Sequence, residues 1–174
     1  MNGRVLVALI LVAAMVPQGD RFAAAQSTPG HRPGSEIAEL AWRLGVWQGT
    51  SATIGDNLYE GLDVRFTSRL ANDRLEEVLA FNDGGVEFQK VTLVTTWDFA
   101  KKRYKRVSVH EVRGRQPRTD VAYGIHEERT LKLTDQGGTA RYTENKFFDE
   151  MWIKAEVLRA GRWTQTLSLK VTRR

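Results

Sequence analysis

The sequence predicts a mainly β protein: a single antiparallel up-and-down β-barrel of about ten strands with one short N-terminal helix. Three observations carry this reading. Turn signals recur along the chain: Ile54-Gly55-Asp56-Asn57, Asn72-Asp73, Asn82-Asp83-Gly84-Gly85, Ala100-Lys101-Lys102, Gly114 to Pro117, Asp135-Gln136-Gly137-Gly138 and Ala160-Gly161. Between them apolar and polar residues alternate with period two. No second helical pattern follows the first. An open antiparallel sheet of this size would expose two edges and a whole face, and closure into a barrel removes both edges. A two-layer sandwich is the alternative.

The N-terminal residues read as a targeting segment. Arg4 precedes an apolar run, Val5 to Val16, that is too short to cross a bilayer as a helix. Small residues close it at Phe22-Ala23-Ala24-Ala25-Gln26. Residues 1–25 are therefore expected to be a secretory signal peptide, cleaved after Ala25, which directs the protein to the periplasm or outside the cell. A retained membrane anchor is the alternative. The chain has no cysteine, so export supplies no disulfide and the core alone must hold the fold. Residues 26–34, QSTPGHRPG, form an expected flexible spacer that contains His31.

The folded domain is expected over 35–174. In SEIAELAWRLG, Ser35 suits an N-cap, and Glu36 and Glu39 sit near the positive end of the helix dipole. Ile37, Leu40, Ala41 and Leu44 make one apolar stripe at α-helical spacing, and Gly45 suits the position that ends a helix. Strands are expected at 46–54, 58–69, 74–82, 86–98, 103–112, 118–127, 129–135, 139–148, 150–158 and 162–172. In the third, Leu75, Glu77, Leu79 and Phe81 oppose Glu76, Val78 and Ala80. In the last, Trp163, Gln165, Leu167, Leu169 and Val171 share a face.

A short helix followed by Gly45-x-Trp47 on the first strand of a meander resembles the calycin-like barrels, the lipocalin superfamily in its wide sense. The resemblance implies that Trp47 packs across the closed end and that a basic residue of the last strand covers it. Parity puts Arg173 on the face of Leu167, Leu169 and Val171, with Lys170 on the opposite face, so Arg173 is the expected cover. The glycines flanking Trp47 would let the chain bend and approach its neighbours. Over 36–174 the closer resemblance is to a bacterial exported family of uncharacterised lipocalin-like domains. It rests on "LGVWQGT", "TTWDFAKKRYKRVSVHEV" and "LKVTRR". It implies a fold and no chemistry.

The net charge of +5 is spread among nearly as many acids as bases, which argues against a nucleic-acid partner. The densest basic run, Lys101, Lys102, Arg103, Lys105, Arg106, Arg113, Arg115 and Arg118, divides between the start of one strand and the far side of its end. A ten-residue strand is about 33 Å long, so the two clusters fall at opposite ends of a barrel. Contact with anionic lipid headgroups or lipopolysaccharide is a secondary reading.

His110 and His126 lie on neighbouring strands, where a pair can hold a metal. No third ligand stands at a recognisable spacing, and the favoured reading is hydrogen-bonded or surface histidine. No histidine follows residue 126, which argues against the late haem ligand of some related barrels. No metal or cofactor is expected. No Gly-x-Ser-x-Gly elbow is present. Glu60, Asp63, Glu76, Glu77, Glu87, Glu111 and Glu144 fall on strands, and most are expected to face solvent.

A ten-stranded barrel is wider than the eight-stranded kind that side chains just fill, so a cavity is expected. Its candidate lining residues are Phe66, Phe81, Trp97, Tyr104, Arg106, His110, Tyr123 and Trp152. Parity groups each with one strand face without saying which face is inside. If Tyr104 is inside, Arg106 and His110 join it; if Val107 and Val109 are inside, the interior is dry. The expected function is a non-catalytic binding module for a small apolar or amphipathic ligand. The alternatives are a filled barrel serving as a structural or interaction protein, and an enzyme acting within the cavity.

Overall fold

The computed structural model describes residues 35–174. The expected signal peptide, its cleavage site and the spacer with His31 lie outside the described residues, as does the side chain of the expected cap Ser35. The chain opens with helix α1 (Ser35–Ala38) and a 3-10 turn (Glu39–Arg43). Ten strands follow: β1 (Gly45–Ile54), β2 (Asn57–Ala71), β3 (Arg74–Asp83), β4 (Val86–Asp98), β5 (Arg103–Val112), β6 (Arg118–Glu127), β7 (Thr130–Asp135), β8 (Ala140–Phe147), β9 (Glu150–Arg159) and β10 (Arg162–Arg173). They form one closed antiparallel barrel in which each strand pairs with its sequence neighbours and β1 pairs with β10. The sandwich alternative is excluded.

The helical segment differs from the expected ten-residue α-helix. Its buried residues are Ile37, Leu40 and Arg43, three apart, while Ala41 is exposed and Leu44 half-buried. A 3-10 helix has three residues per turn, so this winding stacks those three on one side. The segment ends where Leu44 N–H donates to Ala41 O (3.1 Å). Gly45 follows with φ at +117°, a conformation open to glycine. Gly49 serves a different need: a Cβ there would stand 2.6 Å from the Lys170 carbonyl oxygen. Together the two glycines seat Trp47 between a sharp chain entry and a close approach to β10.

The alternation expected for the last strand breaks at a bulge. Gln165 pairs with Glu156 and Leu167 with Ala155, so Thr166 is an extra residue on β10. Leu167, Leu169 and Val171 pack into the core. Beyond the bulge the parity inverts. Trp163 stands on the outer face, with the Arg141 guanidinium 4.3 Å from its ring centre.

The α1 end of the barrel carries the β2–β3, β4–β5, β6–β7 and β8–β9 turns and the C-terminus. It is closed by an apolar cluster around Trp47, Val64, Phe66, Met151 and Val171 and by a second one, Ile37, Leu40, Leu75, Tyr104, Leu131 and Leu133, beneath the helical segment. The opposite end, with the other turns, is the mouth.

Candidate functional site: the barrel lumen

Above the floor, β4 and β9 turn apolar side chains inward. Val91, Leu93, Ile153, Ala155 and Val157 point inward yet keep 6–9% exposure, whereas Trp47, Phe66 and Leu75 keep none. Val91, Leu93 and Ile153 belong to the same packed cluster as Trp47 and Phe66.

The floor is charged as well as apolar. Arg43 comes from the 3-10 turn, Glu77 from β3, Arg106 from β5 and Glu144 from β8, and all four are buried. Arg43 Nε donates to Glu77 Oε1 (2.7 Å) and its Nη2 to Glu77 Oε2 (3.2 Å). Its Nη1 donates to Glu144 Oε2. Arg106 Nη1 and Nη2 donate to the two oxygens of Glu144 (2.6 and 3.0 Å), and Nε donates to Thr95 Oγ1 (3.1 Å). Ser68 Oγ adds a bond to Glu77 (3.2 Å). Two cations and two anions cancel, and the forked guanidinium geometry satisfies the carboxylates in pairs.

Burial alone pushes the Glu144 carboxyl up, but Arg106 and Arg43 outweigh it and hold Glu144 below the ordinary carboxylate value. Burial pulls Arg43 down, and Glu144 and Glu77 carry it above its ordinary value. A carboxyl lowered by folding stabilises the native state above its unfolded value and loses that contribution as pH falls through the folded one. The stability advantage of wild type over Glu144→Gln should therefore be full above pH 4.5 and shrink as pH falls below it. Urea unfolding of both proteins across an acid series checks this.

The helical segment is seated by aromatic residues. Trp47 Nε1 donates to Arg43 O (2.8 Å). Trp42 Nε1 donates to His126 Nε2 (3.0 Å), which places the imidazole proton on Nδ1, 3.6 Å from Glu39 Oε2. The Tyr104 hydroxyl lies between Glu36 O (2.7 Å) and Glu39 Oε2 (3.0 Å). Burial, then Glu39, raise its ionisation well above the usual phenol range. Arg173 lies opposite Trp47 in register, its guanidinium 5.6 Å from the ring centre and its Nη2 donating to Leu44 O (3.0 Å).

Toward the mouth the inner face of β5, β6 and β8 turns polar. Ser108 and His110 follow Arg106 on β5, Arg118 and Asp120 stand beside them on β6, and Tyr142 lies on β8. Arg118 Nη2 donates to Asp120 (2.7 Å). His110 Nε2 approaches Asp120 Oδ2 to 3.3 Å but is buried without a hydrogen bond. Burial raises Asp120, while His110 and Arg118 more than compensate and hold it below its ordinary value. Tyr142 is pushed up to about 12 by burial and by the charge of Asp120.

The expected lining residues divide. Phe66 and Phe81 are inner-face residues of the apolar core. Trp97 meets Tyr104 edge-on, with ring centres 5.0 Å apart, under the helical segment. On β5 the Tyr104 face is inside, so Arg106 and His110 point inward, and Val107 and Val109 do not. Arg106 is committed to the floor, and His110 stands nearer the mouth. Tyr123 and Trp152 are corrections, because both lie on the outer face. Ala122 and Gly124 turn inward around Tyr123, and Met151 and Ile153 around Trp152. Lys101 Nζ sits 3.6 Å from the Tyr123 ring centre, and Lys170 Nζ 5.5 Å from that of Trp152. His110 pairs with Arg118 and His126 with Leu131, at opposite ends of β6, so the two histidines do not meet.

Sequence reasoning passed over Arg43, and it did not single out Glu77 and Glu144 among seven strand acids of which most were expected to face solvent. The available signal was Glu77 alternating with Leu75, Leu79 and Phe81. Comparison with protein-family models and with curated proteins finds no match to this sequence.

Proposed function

We propose that the protein is an exported, calycin-like binding barrel that takes one small amphipathic ligand through the mouth, without catalysis. The supporting observation is the division of the barrel's inner face. Val91 and Leu93 of β4 and Ile153, Ala155 and Val157 of β9 make an apolar wall on either side of a polar strip of Ser108, His110, Arg118, Asp120 and Tyr142. Small-molecule sites combine a largely apolar surface with a few oriented polar groups. The ligand's tail would lie on the wall and its acidic or hydroxyl head on the strip. Arg113 and Arg115 of the β5–β6 turn and Arg159 and Arg162 at the ends of β9 and β10 stand at the mouth with Asp56, Asp83, Glu87 and Asp135, a mixed-charge rim.

A panel of fatty acids, isoprenoid acids and environment-sensitive dyes, followed by tryptophan fluorescence, tests the reading. Wild type should bind at least one member saturably. Ala155→Phe fills the lumen from the wall and should weaken that binding at least about tenfold, a loss of about 1.4 kcal/mol. No saturable binding by folded wild type, or unchanged binding by Ala155→Phe, overturns it.

A further inference from the structure

On the outer surface, apolar exposure concentrates at one hairpin tip. Phe147 and Phe148, where β8 turns into β9, are 66% and 73% exposed, the two highest values among the large hydrophobic side chains described. Their rings meet edge-on with centres 4.7 Å apart. Phe148 also has φ at +54°, in the left-handed region that disfavours a bulky side chain. A glycine would relieve the strain and remove the exposed ring. A residue that is unfavourable on both counts in the isolated protein points to a use at that tip.

The surroundings indicate what the tip meets. Trp152 stands on the outer face behind it, 43% exposed, with Lys170 Nζ 5.5 Å from its ring centre. Lys170 also pairs with Glu150 at 2.5 Å, which neutralises one of the two acids of the turn. Lys146, Arg173 and Arg174 lie at the same strand ends beside Asp149, with Glu127, Glu128 and Arg129 on the adjoining β6–β7 turn. This is the order of groups along a membrane interface: apolar rings foremost, tryptophan at headgroup depth, and lysines reaching toward phosphate. A protein partner suits the tip less well, since a stable interface buries about 800 Å² on each side and two rings on a narrow projection offer far less.

We infer that the Phe147–Phe148 tip inserts into an anionic phospholipid surface and holds the barrel with its helical end to the bilayer and its mouth away from it. The inference is independent of what the lumen binds. Phe147→Ser/Phe148→Gly should unfold at the same temperature as wild type or higher, because the strain is gone. Its binding to vesicles of equal parts phosphatidylglycerol and phosphatidylcholine should fall at least about tenfold. Wild type should bind phosphatidylcholine vesicles more weakly than the mixed ones. In Phe148→Trp, brominated acyl chains should quench the added fluorescence on vesicle binding, a readout local to the tip whatever the N-terminal residues contribute. Quenching no greater than in wild type overturns the inference. So does equal vesicle binding by wild type and the double variant, equal binding of wild type to both vesicle types, or a wild-type dimer in solution that the double variant abolishes.

Discussion

Arg43→Met should destabilise the barrel by about 3–5 kcal/mol, the usual cost of removing one partner from a buried ion pair. The methionine keeps much of the arginine stem's volume, so the loss is electrostatic more than steric. Without Arg43, two buried carboxylates share one guanidinium, and Glu77 keeps only the 3.4 Å contact with Arg106 and the Ser68 hydroxyl. Adding Glu77→Gln should recover part of the loss, because it removes the stranded charge. Urea unfolding of the two single variants and the double gives the coupling. If Arg43→Met falls within about 1 kcal/mol of wild type, or if the two substitutions simply add, the four residues do not act as a unit.

Trp47→Ala should cost about 3–5 kcal/mol, the range for truncating a large buried aromatic residue. Trp47 has no exposed surface and holds both ends of the chain: its indole N–H bonds Arg43 O, and Arg173 lies over its ring. Its removal opens the floor beneath Phe66 and Met151. With no disulfide in reserve, that loss is a large part of an ordinary domain's stability. Chemical denaturation decides it, and a change within about 1 kcal/mol would remove Trp47 from the role of plug.

Strand spans were readable because each rests on local signals. Every strand agrees with its expected span to within two residues at either end. Alternation and turn residues are written within a few positions of one another. What local signals lack is the choice between two equivalent faces. Tyr123 and Trp152 are aromatic residues on strands, like Phe66 and Phe81, and only the closed register shows that the first two face out. Trp163 was misplaced because the bulge at Thr166 inverts parity, and nothing in "RWTQTLSLK" announces it. Arg43 fell off an α-helical stripe and into a 3-10 one. Glu77 was readable in principle, since a lone acid among Leu75, Leu79 and Phe81 implies a buried cation, but its partners come from distant parts of the chain. The polar strip was half legible: Tyr104, Arg106 and His110 were grouped correctly, while Asp120 and Tyr142 depend on the pairing of other strands.

The seam between β1 and β10 bears on how the molecule comes into being. All other neighbouring strands are consecutive in the chain and can form as hairpins. The seam joins groups as far apart as Arg173 and Leu44, separated by 129 positions. Loop closure over such a length is entropically costly and becomes favourable once the intervening meander has ordered. Until the last strand arrives, the sheet is an unclosed ribbon with two raw edges, neither able to complete the floor that Arg43 and Trp47 share. Ring closure is therefore expected to come late, and a chain lacking β10 would leave β1 and β9 as exposed edges open to pairing with other chains.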